Sequence, residues 1–312
     1  MSFRVTGMMI FSNLMSNMRR GSQALGVLQE QMATLRRINR ASDDPAGASR
    51  AQSLLSNEHD YKQYGDNIDQ ARSVLDFTAG VLETISAQVV SVRGKILSAI
   101  NPTSDASTKE MIASEVDDML KSILAGANSS FAGMYVFGGT QTDSPPFELA
   151  SESVLGVEEV AFCGNSGTIS YVVGPTDVAE INENPREIFM PRGEVKGLFN
   201  TLIEIRRLLQ NPDNLTEGEL SAELSETIAR VDVVHDDISR ALGRVGTRSK
   251  ALSLRRDLYE QAEISSTARR SDLEDADIAD VAMRLQNQQT IFEVIMASGS
   301  FVFNSNLADF LR

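Results

Sequence analysis

The residues that carry catalytic or metal-binding chemistry are few and scattered. His59 and His235 are the only imidazoles, and Cys163 is the only thiol. None of the three lies at a spacing that would hold zinc, or that would set a nucleophile beside a base and its orienting acid. His235 falls on the apolar repeat of a helical stretch. That position makes it a packing residue, with a pH-sensitive contact as the lesser reading. The adjacent carboxylates Asp43 and Asp44 could divide into acid and base. Their place before Pro45 reads more simply as a helix start, with Asp44 the N-cap and Pro45 the first helical residue. Gly138-Gly139 lacks the later glycine and lysine of a phosphate loop and reads as a bend ending a strand. No catalytic, cofactor-binding or metal site follows, and the expectation is a protein that is not an enzyme and takes no cofactor.

What the chain has in quantity is helical periodicity. Of its 312 residues 42% are apolar, yet there is no Trp and only 6% are aromatic. Ala, Leu, Ile, Val and Met therefore supply the core, which suits long helix seams better than compact pockets. From Phe11, the residues Leu14, Met18, Gly21, Leu25, Leu28, Met32 and Leu35 follow in alternating steps of three and four, one narrow stripe on a helix. A second run keeps the rhythm from Tyr61 through Ile68, Leu75, Leu82, Val89 and Ile96 to Ala99, a rod of about 60 Å at 1.5 Å per residue. Shorter runs follow at Ile112 to Ile123 and Leu224 to Leu252. The last comprises Ile278, Val281, Leu285, Gln288, Phe292, Ile295, Gly299 and Val302, with Phe310 and Leu311 in the apolar end beyond it. The first and last stripes want partners. Gly21, Gln288 and Gly299 interrupt them, so their mutual packing is expected to be marginal and to be completed by neighbouring subunits. The assembly interface expected on this basis comprises Leu14, Met18, Leu25, Leu28, Met32, Leu35, Ile278, Val281, Leu285, Phe292, Ile295, Val302, Phe310 and Leu311.

Capping-box spacings mark helix starts at Ser107 with Glu110, Thr216 with Glu219 and Ser271 with Glu274. Residues 134 to 197 lose the heptads and gain Gly and Pro. There Val160 and Phe162, then Ile169, Tyr171 and Val173, alternate on either side of Gly164-Asn165-Ser166-Gly167, which reads as a β-hairpin. The fold class is mainly α, with long antiparallel helices in a coiled-coil bundle and a small β-rich domain inserted mid-chain. The expected domains are a terminal coiled-coil segment at 1–42 and 272–312, a helical bundle at 43–133 and 198–271, and the β-rich insert at 134–197.

A formal charge of −14 opposes nucleic-acid binding, because phosphates need a basic face. The charge is unevenly spread. Residues 1–40 carry Arg4, Arg19, Arg20, Arg36, Arg37 and Arg40 against Glu30 alone, +5 in all, which leaves −19 for the remainder. Asp272, Glu274, Asp275, Asp277 and Asp280 are the natural counterpart for this arm. No stretch approaches the ~20 apolar residues of a membrane-spanning helix, the apolar stretch at Met8 to Phe11 is too short for a signal-peptide core, and one cysteine closes no internal disulfide. Taken alone, these features describe a cytosolic protein without nucleic-acid or membrane partners.

Two motifs change that reading. Arg37-Ile38-Asn39-Arg40-Ala41-Ser42-Asp43-Asp44-Pro45-Ala46-Gly47 resembles the N-terminal motif shared by flagellins and hook-associated proteins, and Ser271-Asp272-Leu273-Glu274-Asp275-Ala276-Asp277 resembles its C-terminal counterpart. Within that superfamily the Asn39 to Pro45 segment, Tyr135-Val136-Phe137-Gly138-Gly139 and Asn306-Leu307-Ala308-Asp309-Phe310-Leu311 are most similar to the hook-associated branch found where the hook meets the filament. The likeness covers the helical three quarters of the chain, and residues 140–197 match only as the variable insert. Ala41 stands where many members have Pro. The resemblance implies export through the flagellar type III channel without a cleaved signal peptide, and an extracellular place in the flagellum. It implies assembly as a ring of copies, with hook-associated protein 1 and flagellin as neighbours and an export chaperone as an earlier partner. Two other readings stay open, a flagellin filament subunit and a secreted coiled-coil adhesin whose insert binds a ligand.

Overall fold

The computed structural model describes residues 7–101, 104–150, 159–190, 197–210 and 215–310, with side chains described at Met9 and, within those spans, from residue 12 to residue 299 apart from Ala150. The helices are α1 (Gly7–Thr34), α2 (Pro45–Ile100), α3 (Ala106–Ala127), α4 (Pro185–Phe189), α5 (Leu198–Gln210), α6 (Glu217–Glu274) and α7 (Ile278–Phe310). The strands are β1 (Ser130–Phe131), β2 (Met134–Tyr135), β3 (Phe147–Ala150), β4 (Glu159–Phe162), β5 (Ser170–Val172) and β6 (Val178–Glu180). The expected class, mainly helical with a small strand-containing region mid-chain, is the class observed. The chain divides into one unit formed by Met1–Tyr61 with Gln261–Arg312 and another formed by Lys62–Glu260.

In the Lys62–Glu260 unit the second apolar run is buried as its spacing demands. Ile68, Ala71, Leu75, Thr78, Leu82, Ile85, Val89, Val92, Ile96 and Ala99 are all buried along α2. Antiparallel to it, α6 buries Leu224, Val231, Val234, Ile238, Ala241, Val245 and Leu252. Rim pairs hold one register, with Arg93 to Asp232 at 2.7 Å, Ser249 to Asp76 at 2.8 Å and Arg256 to Asp69 at 3.1 Å. Packing sets this register, since half-exposed pairs each contribute only ~0 to 1 kcal/mol. The Thr216–Glu219 capping box forms as expected, the Thr216 amide donating to Glu219 Oε2 at 2.9 Å and the Glu219 amide to Thr216 Oγ1 at 3.4 Å.

Two other capping-box readings are corrected. α3 starts one residue after Asp105, whose carboxylate accepts the Thr108 amide at 2.8 Å, so Ser107 lies inside the first turn. Ser271 lies in the last turn of α6. The next helix starts instead at Asp277, whose Oδ1 accepts the Ala279 and Asp280 amides at 2.9 and 3.2 Å. In both cases a carboxylate nearer the true boundary outcompetes the hydroxyl for the orphan amides.

The expected hairpin across Gly164–Gly167 does not form. β4 pairs with the earlier β3, Phe147 opposite Phe162, and β5 pairs with the later β6, Val172 opposite Val178. The intervening loop is held by side chains. Asn165 Oδ1 accepts the Thr140 and Gly167 amides, each at 2.9 Å, and Asn182 bridges the Gly167 carbonyl and the Ile169 amide at 2.8 Å each. These bonds satisfy the loop backbone that a two-strand ladder would otherwise have satisfied.

The strand region shares its core with the helices. Phe137, Phe147, Val160, Val173, Ile188 and Phe189 join Leu198, Phe199 and Leu202 of α5 in one apolar cluster. The Phe189 ring meets Phe137 edge-on at 5.3 Å, Phe147 at 5.2 Å and Phe199 at 5.8 Å. Glu183, only 3% exposed, fixes the same region to α6. It accepts Arg244 Nη2 at 2.7 Å and Arg248 Nη1 at 2.9 Å. Truncation of Phe189 to Ala removes the ring shared by three others and is expected to destabilise this unit by about 3 to 5 kcal/mol. Denaturant unfolding of the full chain, followed by circular dichroism, measures it.

Candidate assembly site

The expected interface residues lie in the unit formed by the chain's two ends, where α1 packs antiparallel to α7. Leu14, Met18, Leu25 and Leu28 of α1 and Leu285, Phe292 and Ile295 of α7 are half-buried, and Val281 is buried. At two of the positions expected to weaken this seam, Gly21 and Gly299, an opposing side chain comes close to the glycine. A Cβ placed on Gly21 would lie 3.1 Å from Phe292 Cδ2, and one on Gly299 would lie 3.1 Å from Leu14 Cδ2. Each large side chain fills the gap that the opposite glycine leaves, a knob in a shallow hole. Met32 and Ile278 are exposed. Leu35 is exposed beyond the end of α1 and left-handed, with φ of 60°. The side chains of Val302 and Phe310, and all of Leu311, lie outside the described residues.

Where α1 gives way to α2, and α6 to α7, the two terminal motifs meet. The Ala276 amide donates to the Leu35 carbonyl at 3.0 Å and the Arg37 amide to the Glu274 carbonyl at 2.6 Å, around an antiparallel bridge of Arg36 with Asp275. The Arg37 guanidinium donates to the Leu273 carbonyl at 2.8 Å and pairs with Asp44 at 3.5 Å. Its own carbonyl accepts Gln31 Nε2 at 3.0 Å. Asp43 closes the turn by accepting the Asn39 and Arg40 amides at 3.1 and 2.8 Å. Asp44 Oδ1 accepts the Gly47 amide at 2.9 Å and so caps α2, the role its position before Pro45 implied. Ile38, 8% exposed, covers Gly47 so closely that a Cβ there would sit 2.7 Å from its Cδ1.

Arg270 ties this clasp to α2 with bonds to Glu58 at 3.1 Å and Glu274 at 3.2 Å, and Ser266 Oγ donates to the Leu54 carbonyl at 3.2 Å. Arg270, Glu58 and Ser266 escape sequence reasoning, since they lie in no motif and their partners across the clasp are 212 residues away. The Gly47 amide, then Arg37, hold the Asp44 carboxyl below the usual carboxylate range, and Glu58, then Glu274, hold Arg270 protonated to still higher pH.

The basic arm meets the acidic segment less fully than its charge suggested. Arg36 pairs with Glu274 at 3.8 Å. Arg40 turns back to Glu30 at 3.2 Å, Asp275 accepts the Ser271 hydroxyl, Asp277 caps α7, and Asp280 pairs with Arg284 at 2.9 Å. Partners one helical turn away need little chain ordering and so take most of these charges first. Among the described residues no group of His, Cys, Asp and Glu could hold a metal ion, and no helix is long and apolar enough to cross a membrane.

Because folding lowers the Asp44 pKa, its contribution is present above the usual carboxylate range and disappears as pH falls through the depressed value. Asp44→Asn keeps a cap but lacks the charge. Protection of the Gly47 amide against hydrogen exchange is therefore expected to fall in acid for the parent chain and to be flat with pH in the Asn variant. Gly47→Ala is expected to abolish that protection at every pH, since its methyl group would displace both Ile38 and Asp44.

Comparison with known proteins completes the picture. The family model of the bacterial flagellin N-terminal helical region matches residues 5–142. Flagellar hook-associated protein 3 of Salmonella typhimurium is 23% identical over 297 residues, 93% of this chain and 94% of that protein. Flagellin 1 of Proteus mirabilis is 28% identical, over 41% of this chain and 35% of its own. The crystal structure of the flagellar junction protein FlgL of Legionella pneumophila superposes with a TM-score of 0.61 at 14% identity, covering 72% of this chain and 99% of that one. In sequence along most of its length, and in fold, the chain is similar to flagellar hook-associated protein 3 of the flagellin superfamily, and it is a structural component of the bacterial flagellum.

Proposed function

We propose that the chain joins the hook to the filament as a ring of copies, set between hook-associated protein 1 on one side and flagellin on the other. The observation that carries this reading is the extent of the likeness. Hook-associated protein 3 aligns with 93% of the chain, across the helices and the strand-containing middle alike, whereas flagellin 1 aligns with 41%. The FlgL structure with the same fold is of a protein described as a flagellar junction protein, which supports the same role here.

In this reading the chain works by helix packing rather than by chemistry. The terminal segments 1–42 and 272–312 form the layer that neighbouring subunits complete, residues 43–133 and 198–271 form the supporting bundle, and 134–197 form the insert. Leu14, Met18, Leu25, Leu28, Met32, Leu35, Ile278, Val281, Leu285, Phe292, Ile295, Val302, Phe310 and Leu311 are the assembly residues. Export proceeds through the flagellar channel without a cleaved signal peptide, and a chaperone covers the apolar C-terminal stretch beforehand. The free apolar surface supports this part, because Met9, Met15, Val27, Met283, Ile291 and Val294 are all at least 44% exposed on the terminal helices.

Immunogold labelling of isolated hook-filament structures tests the assignment. A single narrow band at the hook-filament boundary is expected. Label along the whole filament would make the chain a filament subunit, and label on the cell surface away from flagella would favour an adhesin.

A further inference from the structure

The terminal hairpin carries exposed charges that form no ion pair among the described residues. Arg19, on α1, and Glu293, on α7, are both exposed, and neither forms an ion pair among the described residues. Arg20 beside it donates to Asn17 Oδ1 at 2.6 Å. Because Gly21 lies against Phe292 and Leu14 against Gly299, Arg19 and Glu293 stand within about one helical turn of the same height. Counting about 100° per residue from the seam positions, both point well away from the seam and lean toward the same face of the two-helix layer. They lie on opposite outer flanks, so within one chain they are separated by both helices.

The surfaces around them offer both low positions and apolar knobs. The outer flank of α1 presents Ser12, Ser16 and Gly26, small and exposed, with the exposed, unbranched Gln23 among them, and a Cβ placed on Gly26 would meet nothing within 4 Å. That of α7 presents Met283 and Val294, which are 61% and 63% exposed. At hairpin height Val294 falls between Ser16 and Gln23. Val27, 49% exposed, takes on α1 the angle that Val294 takes on α7, so both flanks mix small or polar positions with apolar ones, and they differ in sign, Arg19 on one against Glu293 on the other.

We infer that the α1 flank of one copy receives the α7 flank of the next, with Arg19 of the first paired to Glu293 of the second at equal height. Such a contact is heterologous: it uses a different surface on each side, so repetition closes a ring or winds a helix instead of stopping at a dimer. Ser12, Ser16 and Gly26 allow close approach, and Gln23 can turn to another staggered rotamer to admit Val294. The apolar knobs supply burial, and the charge pair fixes register and excludes the reversed orientation. This inference rests on the proposed assembly of the chain with copies of itself, and it names the surfaces that do it.

Cysteine crosslinking in assembled flagella tests it, using Arg19→Cys and Glu293→Cys in a Cys163→Ser background. The chain carrying both cysteines is expected to give a ladder of disulfide-linked dimers, trimers and higher species. Each single-cysteine chain is expected to stay monomeric, because position 19 faces 293 and never its own copy. A missing ladder, or dimers from either single variant, overturns the inference. Charge reversal provides the second measurement. Arg19→Glu and Glu293→Arg are each expected to lower the fraction of filament-bearing cells about tenfold, and the double reversal to restore it. Singles that swim like the parent, or a double no better than the singles, overturn it as well. A ladder combined with gold label along the whole filament would support this contact while sinking the junction role.

Discussion

A helix with one apolar stripe must bury that stripe against another, and this requirement sets most of the architecture. α2 and α6 satisfy it within the Lys62–Glu260 unit, where the stripe positions are almost completely withdrawn from water. α1 and α7 satisfy it only in part. Their seam is half-buried while Val27, Ile291, Val294 and Met283 remain in water, and at roughly 1.5 to 3 kcal/mol for each large side chain fully buried that surface represents a substantial drive toward further packing. The contrast between a finished bundle and an unfinished hairpin is the physical basis for reading the ends as the assembling part.

Much of this was legible because heptad spacing is a local signal. The run from Ile68 to Ala99 mapped onto a buried face, the run from Leu224 did so in part, with Val231, Ile238 and Val245 buried but His235 and Ser249 half-buried beside the buried Val234 and Ala241, and Ile278 proved to be the first residue of α7. Asp44 and Pro45 opened α2 as their types required. The failures have separate causes: carboxylates nearer the boundary at two helix starts, and the choice of strand partner in the insert. β4 pairs with β3 and not with β5, and Asn165 and Asn182 satisfy the loop between β4 and β5 instead. α5 escaped notice because thirteen residues are too few for a clear repeat, although its buried Leu198, Phe199, Leu202, Ile205 and Leu209 make it central to the core.

The site was half visible. Its two motifs could be recognised at opposite ends of the sequence, and the carboxylates in them suggested capping. What no spacing could disclose was that the motifs touch, or that Arg270 and Glu58 brace the place where they do. Glycine was misjudged for a related reason. In an isolated helix Gly21 and Gly299 cost about 1 kcal/mol each relative to alanine, whereas in the hairpin they admit Phe292 and Leu14. A penalty counted on one helix becomes a fit when two helices are considered together.

The bridge of Arg36 with Asp275 joins residues 239 positions apart. Closing a flexible loop of that length costs about 5 kcal/mol of chain entropy before any constant term, while the two backbone hydrogen bonds beside it return only ~1 kcal/mol each. The clasp cannot nucleate folding. It closes after α2 and α6 have paired along their stripes and shortened the loop that remains, so the contact between the two motifs is a late event, sensitive to whether everything upstream of it has folded in register. A chain with a slipped α2–α6 pairing would bring residue 36 to the wrong partner and leave its ends unjoined, which makes the clasp a proofreading step for the topology as a whole.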